Sequence, residues 1–164
     1  MKKSIVKSAG AGWLFFAISG AAQSTINYNS GTANWSAQSP GAGDTVAIRT
    51  TLTLDTDASV SIVRVNNLAA PAEGTLNINQ NYSLTTSGNF QLGAGTGNGY
   101  VNQSAGTVTV GIQLQIASGG NSSVYSLSGG TLNAKTVIIN TGGLLTLSGG
   151  VMTNTQGITF SGGL

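Results

Sequence analysis

The sequence contains no cysteine and no histidine, and only 6% of its 164 residues are charged. Without cysteine the chain has no disulfide framework, so its stability must come from backbone pairing and apolar burial. Without either residue the Ser-His-Asp and Cys-His catalytic arrangements are excluded, and so are the usual zinc ligand sets. Because about one quarter of residues are usually charged, solubility here depends on uncharged Ser, Thr, Asn and Gln. We therefore expect no metal and no cofactor.

Residues 1–22 have the layout of a secretory signal peptide. Three lysines lie within the first seven positions, residues 11–18 are apolar, and residues 19–22 are small. The apolar stretch, residues 9–22, is shorter than the roughly 18 residues that a membrane-spanning helix needs, which favours cleavage over a retained anchor. The sequence therefore predicts a protein that is secreted or displayed on the outer cell surface and that meets the membrane only during export.

The charge of the chain changes sign when this segment is removed. The full sequence is formally +2, with six basic and four acidic residues. The part beyond residue 22 is formally −1, because only three basic residues remain. Its charged residues are Arg49, Arg64, Lys135, Asp44, Asp55, Asp57 and Glu73. Nucleic-acid binding needs clustered Lys and Arg, so that class of partner is excluded.

The rest of the chain consists of short β-branched segments with no helical period, which predicts an all-β fold. Alternation within residues 112–116 places Ile112, Leu114 and Ile116 on one face and two glutamines on the other. Residues 23–50 differ from the later part of the chain, and we interpret them as an N-terminal cap that passes into the first strands. Trp35 is predicted to pack there, over the end of the apolar stack.

A repeat near the end of the sequence indicates how these strands are arranged. Leu-Ser-Gly-Gly at 127–130 returns at 147–150, and this alignment places Ile138 under Ile158. A period of about 20–24 residues, with glycine at each bend, is typical of a β-solenoid, in which each turn is one rung of a coiled sheet. Residues 51–164 are therefore predicted to form a single-stranded β-solenoid.

Glycine marks the predicted bends, because a bend needs a positive φ or a close approach between backbones. A second and slightly longer offset places residues 104–107 under residues 128–131. The glycines predicted to stand at bends are Gly106, Gly119, Gly120, Gly129, Gly130, Gly142, Gly143, Gly149, Gly150, Gly162 and Gly163. At this period residues 74–164 hold about four turns.

Several segments resemble a known group of repeat sequences. They are Ala-Asn-Trp-Ser at 33–36, Pro-Gly-Ala-Gly-Asp-Thr-Val at 40–46, Ser-Gly-Gly-Thr-Leu at 128–132 and Thr-Gly-Gly-Leu-Leu-Thr-Leu at 141–147. They are similar to autotransporter-associated β-strand repeats and to repeat proteins of bacteria that carry C-terminal exosortase sorting signals. The resemblance implies a right-handed parallel β-helix of pectin-lyase-like architecture, exported to the cell surface or beyond. Neither the barrel nor the sorting tail of that group appears in the sequence, so we expect the solenoid to be truncated at its C-terminus.

Carboxylates are the main candidates for any acid–base chemistry. Asp55 and Asp57 lie two apart, and with Arg64 they are a candidate set for a calcium-dependent polysaccharide lyase of β-helix form. The alternative, which we favour, is a turn whose carboxylates bond local backbone N–H groups. Glycoside hydrolysis needs two carboxylates about 5–10 Å apart, and Asp44 and Glu73 are better explained as solvated charges. No catalytic residue is therefore predicted.

Two further patterns have both a functional and a structural interpretation. The glycine-rich segment 93–99 contains no Lys and opens no helix, so we interpret it as a bend and not as a phosphate-binding loop. Tyr82, Tyr100 and Tyr125 are candidates for stacking on sugar rings if they are exposed. Tyr125 alternates with Leu127, which places it at least equally well inside a turn.

These observations predict a non-enzymatic β-solenoid that is secreted or displayed on the cell surface as a structural or adhesive repeat stalk. Two alternatives stay open, a self-assembling extracellular fibre subunit and a polysaccharide-binding or polysaccharide-cleaving β-helix protein. The expected partners are surface polysaccharides, or other copies of the chain that pair through open ends of the solenoid.

Overall fold

The computed structural model describes residues 23–68, 72–119 and 121–161. Within these ranges every regular element is a β-strand except one 3₁₀ turn, Trp35–Ala37, and no helix is long and apolar enough to cross a membrane. The all-β prediction is therefore confirmed. The predicted signal peptide, residues 1–22, lies outside the described residues.

The described residues form strands that belong to three faces of one coil. In chain order the strands are β1 (Thr25–Tyr28), β2 (Thr32–Asn34), β3 (Thr45–Ile48), β4 (Thr51–Thr53), β5 (Ala58–Val60), β6 (Ile62–Val65), β7 (Glu73–Ile78), β8 (Ser83–Thr86), β9 (Phe90–Leu92), β10 (Asn98–Gln103), β11 (Thr107–Ile116), β12 (Ser123–Leu127), β13 (Thr131–Ile139), β14 (Gly143–Leu147), β15 (Val151–Asn154) and β16 (Ile158–Phe160).

From β4 onward each turn of the chain contributes one strand segment to each face, whereas no face 2 strand lies among the described residues between β2 and β3. Face 1 contains β2, β4, β7, β10, β12 and β14. Face 2 contains β5, β8, the first halves of β11 and β13, and β15. Face 3 contains β1, β3, β6, β9, the second halves of β11 and β13, and β16. The long strands β11 and β13 thus run through the bend from face 2 to face 3.

All neighbouring strands pair in parallel, because each turn follows the one before it in the same direction. The six strands of face 1 mark six turns, which confirms the predicted β-solenoid. Thr107 pairs with Thr131, and Leu127 pairs with Leu147. These are the pairs that the longer and the shorter predicted offset require, so both offsets are confirmed.

The N-terminal turns are less regular than the predicted period of about 20–24 residues. Along face 3 Val46 pairs with Val63, and Val63 pairs with Phe90, so one turn is shorter than the predicted period and the next is longer. The paired strands stay in register, so the differences in length fall in the bends. The repeated glycine pairs that mark the later turns are missing here, which is why the sequence did not reveal these lengths.

Two predictions are wrong: that Ile112 shares a face with Leu114, and that Ile158 pairs with Ile138. The register of β11 against β13 shifts in mid-strand, because a β-bulge there turns the chain from face 2 to face 3. Ile112 lies in this bulge and is 50% exposed, whereas Leu114 is buried. In the last turn the same bend holds one residue more, so Ile158 pairs with Val137 and not with Ile138.

The core consists of apolar side chains stacked in columns that point inward from the three faces. One column on face 3 is fully buried and contains Val46, Val63, Phe90, Leu114 and Val137. Burial of one such side chain contributes about 1.5–3 kcal/mol relative to its exposure. These columns run the length of the described coil and form one continuous core.

Residues 23–50 join this stack directly. The strand β1 pairs with β3, and β2 pairs with β4, both in parallel register. Trp35 follows β2 and is only 1% exposed, and its ring lies 6.4 Å from that of Tyr28. The Tyr28 hydroxyl donates a hydrogen bond to the Trp35 carbonyl oxygen at 2.5 Å. The two aromatic residues thus close the core within the first turns.

The structure divides the predicted bend glycines into three groups. Positive φ angles are found at Gly106, Gly130, Gly142 and Gly150. Backbone of a neighbouring turn leaves no room for a Cβ at Gly119, Gly129 and Gly149, and Gly143 is similarly enclosed at the start of β14. The remaining predictions, Gly120, Gly162 and Gly163, lie outside the described residues. The bend after face 3 is left-handed at Asn66, Gly93 and Ala117. Gly93 begins the segment 93–99 that was interpreted as a bend, whereas Asn66 and Ala117 were not identified.

Candidate functional site

Two aspartates join neighbouring turns of the solenoid. Asp44 accepts hydrogen bonds from the Ser24 backbone N–H at 3.1 Å and from the Ser24 hydroxyl at 2.7 Å. Asp55 accepts from the Ser36 backbone N–H at 2.9 Å and from its hydroxyl at 2.5 Å. In both cases the serine lies one turn earlier in the chain. These carboxylates therefore fasten the first turns to one another.

Asp57 forms a similar link in the opposite direction. Its carboxylate accepts a hydrogen bond at 2.7 Å from the backbone N–H of Ser83, in the following turn. The carboxylates of Asp55 and Asp57 were predicted to bond local backbone N–H groups in a turn. Both do accept from backbone N–H groups, but those of Ser36 and Ser83 belong to adjacent turns of the solenoid.

These hydrogen bonds make folding sensitive to acid. The backbone N–H of Gly41 and the contacts from Ser24 lower the pKa of Asp44, and the Ser36 hydroxyl and N–H lower the pKa of Asp55. A carboxylate whose pKa is lower in the folded state stabilises the fold above its unfolded pKa. That contribution is lost as the pH falls through the folded-state pKa.

We expect the thermal unfolding midpoint to fall below about pH 4, where these aspartates take up protons. Asp55→Asn should make this fall shallower, because one of the two carboxylates no longer titrates. Ser36→Ala should have the same effect, since it removes the hydroxyl that lowers the pKa of Asp55 and keeps the charge. Circular dichroism melts across the acid range measure the effect. An unchanged acid dependence in both variants would contradict this assignment.

The candidate lyase set is not assembled. Asp55 and Asp57 lie in the bend between β4 on face 1 and β5 on face 2, whereas Arg64 lies in β6 on face 3. Glu73, at the start of β7, accepts a hydrogen bond from the Tyr100 hydroxyl at 3.3 Å. Nowhere in the described ranges do three or more Asp or Glu residues gather into a group that could hold a metal ion.

The three candidate tyrosines have different environments. Tyr125 is fully buried, which agrees with the second of its two interpretations, a position inside a turn. Its hydroxyl donates to Gln103 Oε1 at 2.6 Å. Burial raises the pKa of Tyr125 far above its ordinary value. Tyr100 is half-buried on the outer side of face 1, and Tyr82 is half-buried against the core. Of the three, Tyr100 is the one that points outward from a sheet face.

Uncharged polar side chains form columns along the outer surfaces of faces 1 and 2. On face 1 the column is Asn34, Thr53, Asn77, Asn102, Ser126 and Thr146. On face 2 it is Ser59, Thr85, Thr109, Asn133 and Thr153. Some members bond along the column, such as Asn102 Nδ2 to Asn77 Oδ1 at 3.0 Å. Both faces thus present rows of short polar groups spaced by about 4.8 Å.

Face 3 differs from these flat surfaces because it contains a recess. The recess, called the face 3 groove below, has a volume of about 420 Å³ and is lined by Arg64, Asn67, Gln91, Ala94, Gln115 and Ser118. All six lining residues are half-buried. The groove spans three successive turns, since Arg64 pairs with Gln91 and Gln91 pairs with Gln115. Ala94 is the one apolar residue of its lining.

A second concave surface lies against the last described turn. This apolar cavity, of about 440 Å³, is lined partly by Ile139, Leu145, Leu147, Ile158 and Phe160. Leu147 is 56% exposed and Phe160 is 61% exposed, although both end columns whose earlier members are buried. The apolar surface here is the continuation of the solenoid core.

The lining of the face 3 groove was missed in the sequence analysis, apart from Arg64. Its members Arg64, Gln91 and Gln115 are unequally spaced along the chain, so the only sequence signal is a polar residue at the same place in turns of different length. A scan against protein-family models, a search of the curated proteins and a search of the solved structures each give no match to this chain. Its function is therefore inferred from its own residues.

Proposed function

We propose that the chain is a non-enzymatic, exported β-solenoid that acts as a structural or adhesive repeat stalk, as its resemblance to autotransporter-associated repeats implies. The observation that carries the proposal is the use of the carboxylates. Asp44, Asp55 and Asp57 each bond to an adjacent turn, so their role is to hold the stack together. This leaves the outer faces as the surfaces on which the chain meets its surroundings.

The composition of the outer faces supports an adhesive role. Rows of Ser, Thr and Asn offer both donors and acceptors without charge. Each strand of faces 1 and 2 adds one residue to such a row. A long, regular polar surface of this kind suits contact with another extended hydroxylated surface, such as a polysaccharide. The basic, apolar and small-residue order of residues 1–22 supports export.

The proposal is tested with the full chain against a panel of immobilised and soluble polysaccharides. We expect retention on at least one polysaccharide surface and no release of new reducing ends. Substitution at Asp55 should then change stability only. Cleavage of a polysaccharide by the wild type that is abolished in Asp55→Ala would overturn the proposal and favour the enzyme alternative.

A second candidate is a self-assembling fibre subunit, and the exposed apolar cavity at the last described turn favours it. Side chains such as Leu147 and Phe160 would be covered if another strand layer were placed on them. Sedimentation of the full chain over a range of concentrations separates the two candidates. Growth of the particle with concentration favours the fibre, and a single species of constant size favours the stalk.

A further inference from the structure

The face 3 groove has an unusual balance of hydrogen-bonding groups. Arg64 Nε donates to Gln91 Oε1 at 3.0 Å. Gln91 Nε2 donates to Gln115 Oε1 at 2.8 Å, and Gln115 Nε2 donates to Gln113 Oε1 at 2.7 Å. The side chains of three turns thus form a chain of hydrogen bonds that all run in one direction. In each link an amide oxygen receives the bond.

A second arginine, Arg49, also donates hydrogen bonds to amide oxygens beside the groove. Arg49 Nε donates to Asn67 Oδ1 at 2.7 Å, and its Nη1 donates to Asn29 Oδ1 at 3.0 Å. The amide oxygens of Asn67, Gln91 and Gln115 therefore all accept a hydrogen bond from a neighbouring side chain. These are the three amide groups that line the groove.

The donors are only partly used. A guanidinium has five N–H groups and a primary amide has two. Within the described residues Arg64 bonds through Nε alone, which leaves the four N–H groups of its two terminal nitrogens. Gln91 and Gln115 each use one amide N–H on the chain of bonds and keep the other. Each amide oxygen keeps one lone pair, and the Ser118 hydroxyl can both donate and accept. Free donors therefore outnumber free acceptors in the groove.

The charge of the groove has the same bias. No carboxylate of the described residues lines it, and Arg64 supplies a positive charge within a recess that is half shielded from water. A planar guanidinium binds carboxylate or sulfate oxygens through two parallel hydrogen bonds, and such charge-assisted bonds are about twice as strong as neutral ones. A ligand that satisfies this surface must bring acceptor oxygens and negative charge.

The size and direction of the groove narrow the class of ligand further. Its volume of about 420 Å³ is within the range of about 300–1,000 Å³ that is usual for small-molecule sites. The lining is polar except for Ala94, so it suits a hydroxylated ligand better than an apolar one. Equivalent groups on successive turns are about 4.8 Å apart, and the groove extends over three turns, which suits a short segment of a linear polymer.

We propose that the face 3 groove binds an acidic saccharide, with Arg64 holding a carboxylate or sulfate group and the spare amide N–H groups of Gln91 and Gln115 donating to its other oxygens. This deepens the adhesive role proposed above and rests on it. The ligand chain would lie along the solenoid axis, across the turns and not along a strand.

The test is isothermal titration calorimetry, which measures the affinity of the full chain for three oligosaccharides of equal length. One is an oligogalacturonate, which carries carboxylates, one is a heparin fragment, which carries sulfates as well, and one is a neutral maltooligosaccharide. We expect at least one acidic probe to bind and the neutral one not to bind. Binding of the galacturonate identifies carboxylate as sufficient, and binding of heparin alone identifies sulfate. Binding of neither acid, or equal binding of all three, overturns the proposal.

Variants locate the site. Arg64→Gln is expected to weaken acidic binding about tenfold or more, because hydrogen bonds to a charged group are lost. Asn67→Asp preserves the shape of the side chain, and its new carboxylate should weaken binding by repulsion. Lys135→Gln is the matched control, since Lys135 is exposed and lies outside the groove, and it removes the same charge. Circular dichroism checks that each variant is folded.

Failure of the groove assignment and failure of the adhesive role give different results. If Arg64→Gln stays attached to a polysaccharide surface as well as the wild type, and binds the acidic probe equally, the groove assignment is wrong while the adhesive role stands. If the wild type binds the acidic oligosaccharide but is not retained on any polysaccharide surface, the groove assignment stands and the adhesive role is wrong.

Discussion

Gly130→Ala is expected to lower the free energy of unfolding by about 3 kcal/mol, because left-handed strain of about 1–2 kcal/mol adds to overpacking of about 1–3 kcal/mol. Gly130 lies in the bend between faces 1 and 2 with φ of 76°. A Cβ there would approach the backbone of Gly106 and Ala105, in the previous turn, to less than 3.0 Å. That backbone cannot withdraw without disturbing the strand pairs on both sides. Urea denaturation followed by circular dichroism measures the loss.

Gly31→Ala is the matched control for this substitution. Its φ of 70° is almost the same, but no atom of the described chain lies within 4 Å of the added Cβ. Only the backbone term applies, so a loss of about 1 kcal/mol is expected. Equal losses in the two variants would show that φ alone sets the cost, and that contact between turns does not.

Gln103→Leu is expected to lower the free energy of unfolding by about 3 kcal/mol, because the buried Tyr125 hydroxyl and two half-buried carbonyl oxygens each lose a hydrogen bond. Gln103 is fully buried in the inward column of face 1. Its Oε1 accepts from the Tyr125 hydroxyl at 2.6 Å, and its Nε2 donates to the carbonyl oxygens of Thr131 at 2.9 Å and Gly106 at 3.3 Å. One side chain therefore connects two adjacent turns inside the core.

A double-mutant cycle tests this explanation. Tyr125→Phe alone leaves Gln103 Oε1 buried without a partner and should lower the free energy of unfolding by about 1–3 kcal/mol. In the double variant neither group is left unpaired by loss of the other, so the total should be less than the sum of the single losses. Strictly additive losses, measured by the same denaturation, would contradict a direct Gln103–Tyr125 interaction.

The solenoid could be predicted from the sequence because its later turns have nearly equal lengths. Between Leu127 and Leu147 the bends repeat with the same glycine pairs, so a fixed offset finds the register. The N-terminal turns do not repeat in this way, and the bulge at Ile112 interrupts the alternation that the strand follows on either side of it. Register there depends on how many residues each bend takes up, which is decided by packing of the turns and not by local sequence.

The candidate sites were harder to predict for the same reason. Asp55 was identified, but its partner Ser36 is distant in the sequence and becomes a neighbour only when the turns are stacked. Gln91 and Gln115 are ordinary polar residues in the sequence. They form a site with Arg64 because strand pairing brings them into one column. Chemistry that is shared between turns is visible only once the turn lengths are known.

The stacking of parallel strands also determines how the molecule would respond to mechanical load. The backbone hydrogen bonds between turns point along the solenoid axis, so tension along that axis pulls on one turn at a time instead of shearing many bonds together. Each turn that peels away would release its own length of chain, a short one between Val46 and Val63 and a longer one between Val63 and Phe90. Extension should therefore proceed in small, unequal steps, so that mechanical work is dissipated gradually and not in a single rupture.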